Sequence, residues 1–183
     1  MATAQAGTIW KSDPTHSSVE FSVRHLMIST VKGRFNSFEI TLEGDPADAA
    51  NAKVSVSIDA NSIDTSTPDR DNHLRSADFF DVANHPKITF VSNSIKSRGG
   101  NEYEVTGDLT IRGVTRPVTL NVVHEGSGKD PWGGERAAFT ATGKVNRKDF
   151  GLAWNVPLEA GGVLVGDEVK ISIDTQLVRQ ASA

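Results

Sequence analysis

Val19-Glu20-Phe21-Ser22-Val23 alternates apolar and polar side chains without a miss, and the same period returns in Phe38-Glu39-Ile40-Thr41-Leu42 and Val54-Ser55-Val56-Ser57-Ile58. A strand points successive side chains to opposite faces, so each unit reads as a strand with one apolar face. Outward from there, the period resumes at Ile88 and Phe90, at Tyr103, Val105, Leu109 and Ile111, and at Val118, Leu120 and Val122. It continues at Ala137, Phe139, Ala141 and Val145, then at Val169, Ile171 and Ile173. About eight strands are therefore predicted over the whole chain. Turn signals separate them at Glu43-Gly44-Asp45-Pro46, Ser97-Arg98-Gly99-Gly100-Asn101, Arg112-Gly113-Val114-Thr115 and Gly126-Ser127-Gly128, which favours antiparallel hairpins.

One stretch departs from the period. Thr67 is placed to cap the first amides of a helix, Pro68 suits the first helical position, and Asp69 favours the positive end of the dipole, predicting a short helix through about Ser76. Ala77-Asp78-Phe79-Phe80-Asp81 follows, and its paired aromatics are expected to tuck under a rim as a lid or plug. Many short strands with one helix fit an all-β sandwich or barrel, and closure into a barrel removes exposed edges.

Composition narrows the classes. The 183 residues are 37% hydrophobic, enough for one domain over residues 1–183 with one substantial core. The net charge of −4 and scattered basic residues give no footprint for nucleic acid. Without cysteine there are no disulfides or thiolates, and the fold stands on packing. The opening Met-Ala-Thr-Ala-Gln-Ala-Gly has neither a basic nor an apolar leader region, and no run reaches membrane-spanning length, so the expected location is cytoplasmic.

Five blocks carry a resemblance to a known family. Asp13-Pro14-Thr15-His16-Ser17-Ser18-Val19-Glu20-Phe21-Ser22-Val23-Arg24-His25-Leu26, followed by Val31-Lys32-Gly33-Arg34-Phe35, opens the chain. Arg70-Asp71-Asn72-His73-Leu74-Arg75-Ser76 with Asp78-Phe79-Phe80-Asp81, and Pro86-Lys87-Ile88-Thr89-Phe90, come next. Gly107-Asp108-Leu109-Thr110-Ile111-Arg112-Gly113-Val114-Thr115-Arg116-Pro117-Val118 and Asn146-Arg147-Lys148-Asp149-Phe150-Gly151-Leu152 complete the set. In this order they resemble the YceI-like family of polyisoprenoid-binding proteins. The resemblance implies an extended, lipocalin-like antiparallel β-barrel, often a homodimer, whose pore holds an isoprenoid lipid or isoprenoid quinone and which has no other cofactor. Many relatives carry a cleaved leader, which the opening residues here do not predict, and Ala138 stands where the family pattern suggests Gly.

A barrel of about eight strands is just wide enough to be filled by side chains or to hold one slender ligand. The side chains chosen to line it are Phe21, Val23, Phe35, Ile40 and Val56, then Phe90, Leu109, Phe139, Phe150 and Trp154, with Phe79 and Phe80 near the mouth. For any one of them ordinary core packing is the competing reading, and the period does not say which face points inward. A phosphorylated head group would call for rim cations, with Arg24, His25, Arg34, Arg70, His73 and Arg147 as candidates. Against this stand small salt bridges, Arg147 with Asp149 or Arg70 with Asp71, and a partly buried, satisfied His25.

Catalytic signatures are absent from the sequence. His16, His25, His73, His85 and His124 show no metal-ligand spacing, and there is no nucleophile elbow, phosphate loop or dinucleotide fingerprint. Carboxylate pairs such as Asp78 with Asp81 or Asp167 with Glu168 read as solvated turns. The chain is thus expected to be a binding protein and not an enzyme. A small isomerase or cyclase acting on an isoprenoid-like substrate is the alternative, and a packed scaffold with an exposed interaction patch is the third class.

Overall fold

The computed structural model describes residues 7–158 and 161–181, so the leader reading of the first residues falls, apart from Gly7, outside the described part. The strands are β1 (Ile9–Ser12), β2 (Ser18–His25), β3 (Ser29–Phe35), β4 (Phe38–Glu43), β5 (Lys53–Asp59) and β6 (Ile63–Asp64). After the helix α1 (Pro68–Arg75) come β7 (Lys87–Gly99), β8 (Glu102–Ile111), β9 (Val114–Lys129), β10 (Glu135–Asn146) and β11 (Val165–Arg179). All pair antiparallel in a single sheet that closes as β1-β4-β5-β7-β8-β9-β10-β11 and back to β1, an eight-stranded barrel.

The remaining three strands continue members of that ring beyond a break. β11 pairs through Leu177–Arg179 with β1 and through Val165–Asp174 with β2, so β1 and β2 form one interrupted stave. β3 continues β4 beside β2, and β6 continues β5 beside β3. Two of the breaks have a clear local cause. Pro14 offers no backbone N–H, and Asp13 accepts from Thr15 N–H at 3.0 Å, which turns the chain between β1 and β2. Asp59 accepts from Asn61 N–H in the same way between β5 and β6.

The reversal from β8 to β9 places Arg112 and Gly113 at φ 51° and 73°, the left-handed pair that a tight hairpin needs. At Gly33 the Phe21 ring crosses the backbone so closely that a Cβ would meet its Cζ at 2.4 Å, so only glycine lets that ring lie flat against the wall.

Two readings need correction. Gly126-Ser127-Gly128 is not a turn, because β9 runs on to Lys129 and the chain reverses at Asp130–Gly134. There Asp130 accepts from Trp132 and Gly134 N–H groups, and the register shift at Ala138/Phe139 absorbs the irregularity opposite. Thr67 begins α1 without a side-chain cap, since its Oγ1 accepts from Arg70 at 3.1 Å. Besides α1 there are four 3-10 turns, of which Pro46–Asn51 tucks Pro46 and Ala49 into one end of the barrel. No helix among the described residues is long and apolar enough to cross a membrane.

Candidate functional site

The inward faces of the strands do not meet in the middle. At the Pro46–Asn51 end a cavity of about 80 Å³ is lined by Ile40, Val56, Phe90, Phe139, Leu120, Ile173 and their neighbours. Beyond it a second cavity of about 160 Å³ reaches Phe35, Leu109, Phe79, Phe80, Val169 and Ile171. The two share Val56, Phe90, Leu120 and Ile173, so they abut as one interrupted slot. Only Tyr103, Thr175, Glu20 and Arg147 among the lining residues carry a polar side chain. The larger cavity alone is about ten times the ~15 Å³ that a single water needs, and its walls offer little to hydrogen-bond.

Burial follows from that void. Ala137 is sealed at 0% exposure and Leu177, which borders the smaller cavity, at 2%, whereas Val169, Ile171, Ile173, Phe21 and Val23 around the larger cavity stay half-buried. Their accessible surface faces the hollow, which therefore holds unclaimed apolar area.

The α1 end opens through a vestibule of about 340 Å³ that shares Phe21, Val23, Leu74, Phe79 and Val165 with the larger cavity. Here aromatic and polar groups mix. His73 lies edge-on to Phe79 and Trp154 at centroid distances of 5.1 and 4.6 Å, Phe79 meets Trp154 at 5.4 Å, and Phe80 meets Phe35 edge-on at 5.9 Å. Arg112 Nη1 donates to Phe79 O at 3.1 Å and holds this plug from the neighbouring hairpin.

The polar side of the vestibule comes from β2, α1 and Thr65. Arg70 donates to Thr65 Oγ1 at 2.7 Å and to Thr65 O at 2.8 Å, while buried Asp71 accepts from Thr65 N–H at 2.9 Å. Arg70 Nη1 makes no hydrogen bond among the described residues, so this fork is braced with one nitrogen to spare. Arg24 donates to Thr30 Oγ1 at 3.1 Å and Met27 O at 3.3 Å, and His73 Nε2 lies 2.9 Å from Asp78. His25 is half-buried and, contrary to the satisfied histidine expected, makes no side-chain hydrogen bond among the described residues. Asp69 is the carboxylate on the same rim.

Eleven of the twelve apolar side chains chosen from sequence line these cavities or the vestibule. The exception is Phe150, which is 1% exposed within the 3-10 turn Arg147–Phe150 and faces none of them. Among the cations, Arg24, His25, Arg70 and His73 meet at the vestibule, but Arg34 does not. Strand alternation turns Gly33 and Phe35 inward and leaves Arg34 exposed on the outer wall.

Arg147 is also displaced from the role expected of it. It is 5% exposed and donates to the carbonyls of Leu152, Trp154, Val165 and Gly166, so its guanidinium pins the loop after Phe150 to the start of β11. Burial pushes its pKa down, with Asp167 at 3.9 Å acting the other way. Neither Arg147 with Asp149 nor Arg70 with Asp71 forms an ion pair among the described residues. The choice of lining residues missed Leu120, Ile171 and Ile173, which follow the two-residue period but needed the inward face to be known. Leu74, on a helix with a negligible apolar stripe, gave no signal.

A sequence profile of the YceI-like domain matches residues 10–177. A UPF0312 protein of Staphylococcus epidermidis is 41% identical over 170 residues, covering 92% of this chain and 96% of that one. A Vibrio cholerae UPF0312 protein is 44% identical over 137 residues, 75% of this chain and 72% of its own. Among solved structures, BcnA of Burkholderia cenocepacia superposes with a TM-score of 0.77 at 29% identity, over 92% of this chain and 99% of that one. A polyisoprenoid binding domain from Saccharophagus degradans shares the fold at 16% identity and a TM-score of 0.64, over 95% and 98% of the two chains. Profile, relatives and closed barrel agree over nearly the same residues: the chain belongs to the YceI-like family.

Proposed function

We propose that the protein binds one long, slender apolar lipid of isoprenoid type in its lumen, as a carrier and not a catalyst. The observation that carries this reading is the interrupted slot itself, hollow, apolar and opening at one end through a polar vestibule. Burial of hydrocarbon there gains about 25 cal/mol for each Å² removed from water, with no need for polar contacts along the tail. A branched tail with a period of a few carbons can thread past Phe90 and Ile173, where the cavities meet. The Saccharophagus degradans barrel, a polyisoprenoid binding domain of the same shape, supports this choice of ligand class.

The lipid head would then sit among Arg70, His25 and Arg24, with Arg70 Nη1 and the His25 ring as the free donors. Organic extraction of the purified protein followed by mass spectrometry tests the reading. An isoprenoid in the extract, or uptake of a polyprenyl alcohol by the stripped protein, is expected; a lipid-free extract together with no uptake defeats it. Arg70→Met should weaken a prenyl phosphate about tenfold more than the matching alcohol. Equal loss for both removes Arg70 from the head-group role. Chemical conversion of a prenyl substrate at substoichiometric protein would favour the isomerase or cyclase alternative.

A further inference from the structure

The β2–β3 connection breaks two local rules together. Leu26 and Met27 turn the chain at φ 54° and 62°, left-handed conformations that Asn and Gly adopt readily and bulky side chains do not. Leu26, Met27 and Ile28 are also exposed, Ile28 at 78%. Strain and an apolar tip at one place point to function better than to packing.

The tip stands beside the vestibule. Leu26 N–H donates to Leu164 O at 2.8 Å, and Leu164 lines the vestibule. Leu164 N–H in turn donates to the carbonyl of exposed Val156 at 2.9 Å, which extends the apolar edge. Behind the tip, the outer face of β11, β2 and β3 sets Lys170, Ser22 and Lys32 in one row and Ser172, Glu20 and Arg34 in the next. Arg24 lies nearer the tip. Lys32, Arg34 and Lys170 line this groove with Glu20 and Asp64, a local excess of positive charge in a chain whose net charge is −4. Glu168 and Asp167, on the adjoining part of β11, lie 3.9 and 3.3 Å from Lys144 and Lys148.

We propose that Leu26, Met27 and Ile28 form a wedge that docks the protein on an anionic phospholipid bilayer, setting the vestibule against the acyl region so that a lipid enters without crossing water. The apolar tip supplies insertion and the cationic face supplies attraction to anionic head groups. The docking stands on the tip and the charged face beside it, while the lipid transfer rests on the proposed lumen function.

The test is a triple variant, Leu26→Asn with Met27→Gly and Ile28→Ser, which gives the turn the residues its geometry favours and so leaves the fold at least as stable. Wild type should sediment with vesicles of phosphatidylcholine containing a minority of phosphatidylglycerol, less with pure phosphatidylcholine, and the variant's partition coefficient should fall at least about tenfold. Wild type remaining in the supernatant, or equal sedimentation of the two, overturns docking. So does self-association of the wild type through the tip, abolished in the variant, without vesicle binding. A prenyl alcohol offered in vesicle-free solution should load both proteins equally. If neither loads, the lumen reading fails while docking is still decided by sedimentation. If both load from vesicles at one rate, the transfer role fails.

Discussion

The two ends of the barrel are built from the same alternating strands, yet one closes tightly around a small cavity and the other opens around a larger one. At the Pro46–Asn51 end Leu177, Leu42 and Ala49 are almost fully buried and the cavity is the smaller of the two. On the outer wall there Arg136 bridges Asp13 at 2.8 Å and Asp130 at 3.0 Å, tying three segments together. At the α1 end β2 and β11 present half-buried aliphatic side chains to a wider void, and aromatic rings on short loops stand across the opening. The contrast assigns stability to the first end and capacity to the second.

The largest effect that distinguishes them is in stability. Leu177→Ala should cost about 3 kcal/mol in urea denaturation, because packed neighbours cannot collapse into the space left behind. Val169→Ala should cost less than about 1 kcal/mol, since its methyl groups already face a cavity. Equal costs would mean that the middle of the barrel is as tightly filled as its end.

A smaller effect appears in capacity. Ile173→Trp adds volume where the two cavities meet and should lower the prenyl alcohol held per protein at least about tenfold, with circular dichroism unchanged. Full loading of this variant would place the ligand elsewhere.

The smallest effect concerns pH. The Arg136 guanidinium, followed by hydrogen bonds from Thr15 and His16, holds the Asp13 carboxyl well below the ordinary carboxylate range. A depressed folded pKa contributes stability above the unfolded value of about 3.9 and loses it as pH falls below that value. Arg136→Met should therefore melt below wild type at pH 7, and the gap should begin to narrow as pH falls below about 4 and shrink progressively toward the much lower folded value. A gap that persists in acid would assign the loss to packing of the Arg136 stem.

Much of this contrast was legible in the residues. The two-residue period marked eight strands, and the barrel does have eight staves, because the unmarked β1, β3 and β6 continue marked strands past a break. The helix was legible from Pro68 and its acidic first turn, and Phe79 with Phe80 from the cost of leaving two rings in water. Gly126-Ser127-Gly128 misled because glycine-rich composition marks a turn only where no neighbouring strand supplies ladder hydrogen bonds. Phe150 and Arg147 misled for a shared reason. Both sit in a 3-10 turn whose periodicity does not follow the strands, so neither burial nor direction carried over.

What the sequence determined alone is the antiparallel all-β class, the number of staves and the pool of apolar side chains, since alternation is a property of each strand by itself. What only the tertiary structure decided is which face turned inward, that the interior stayed hollow, and which cations reached the mouth. Those depend on ring closure, stagger and the approach of residues far apart in the chain, and no local pattern encodes a distance between them.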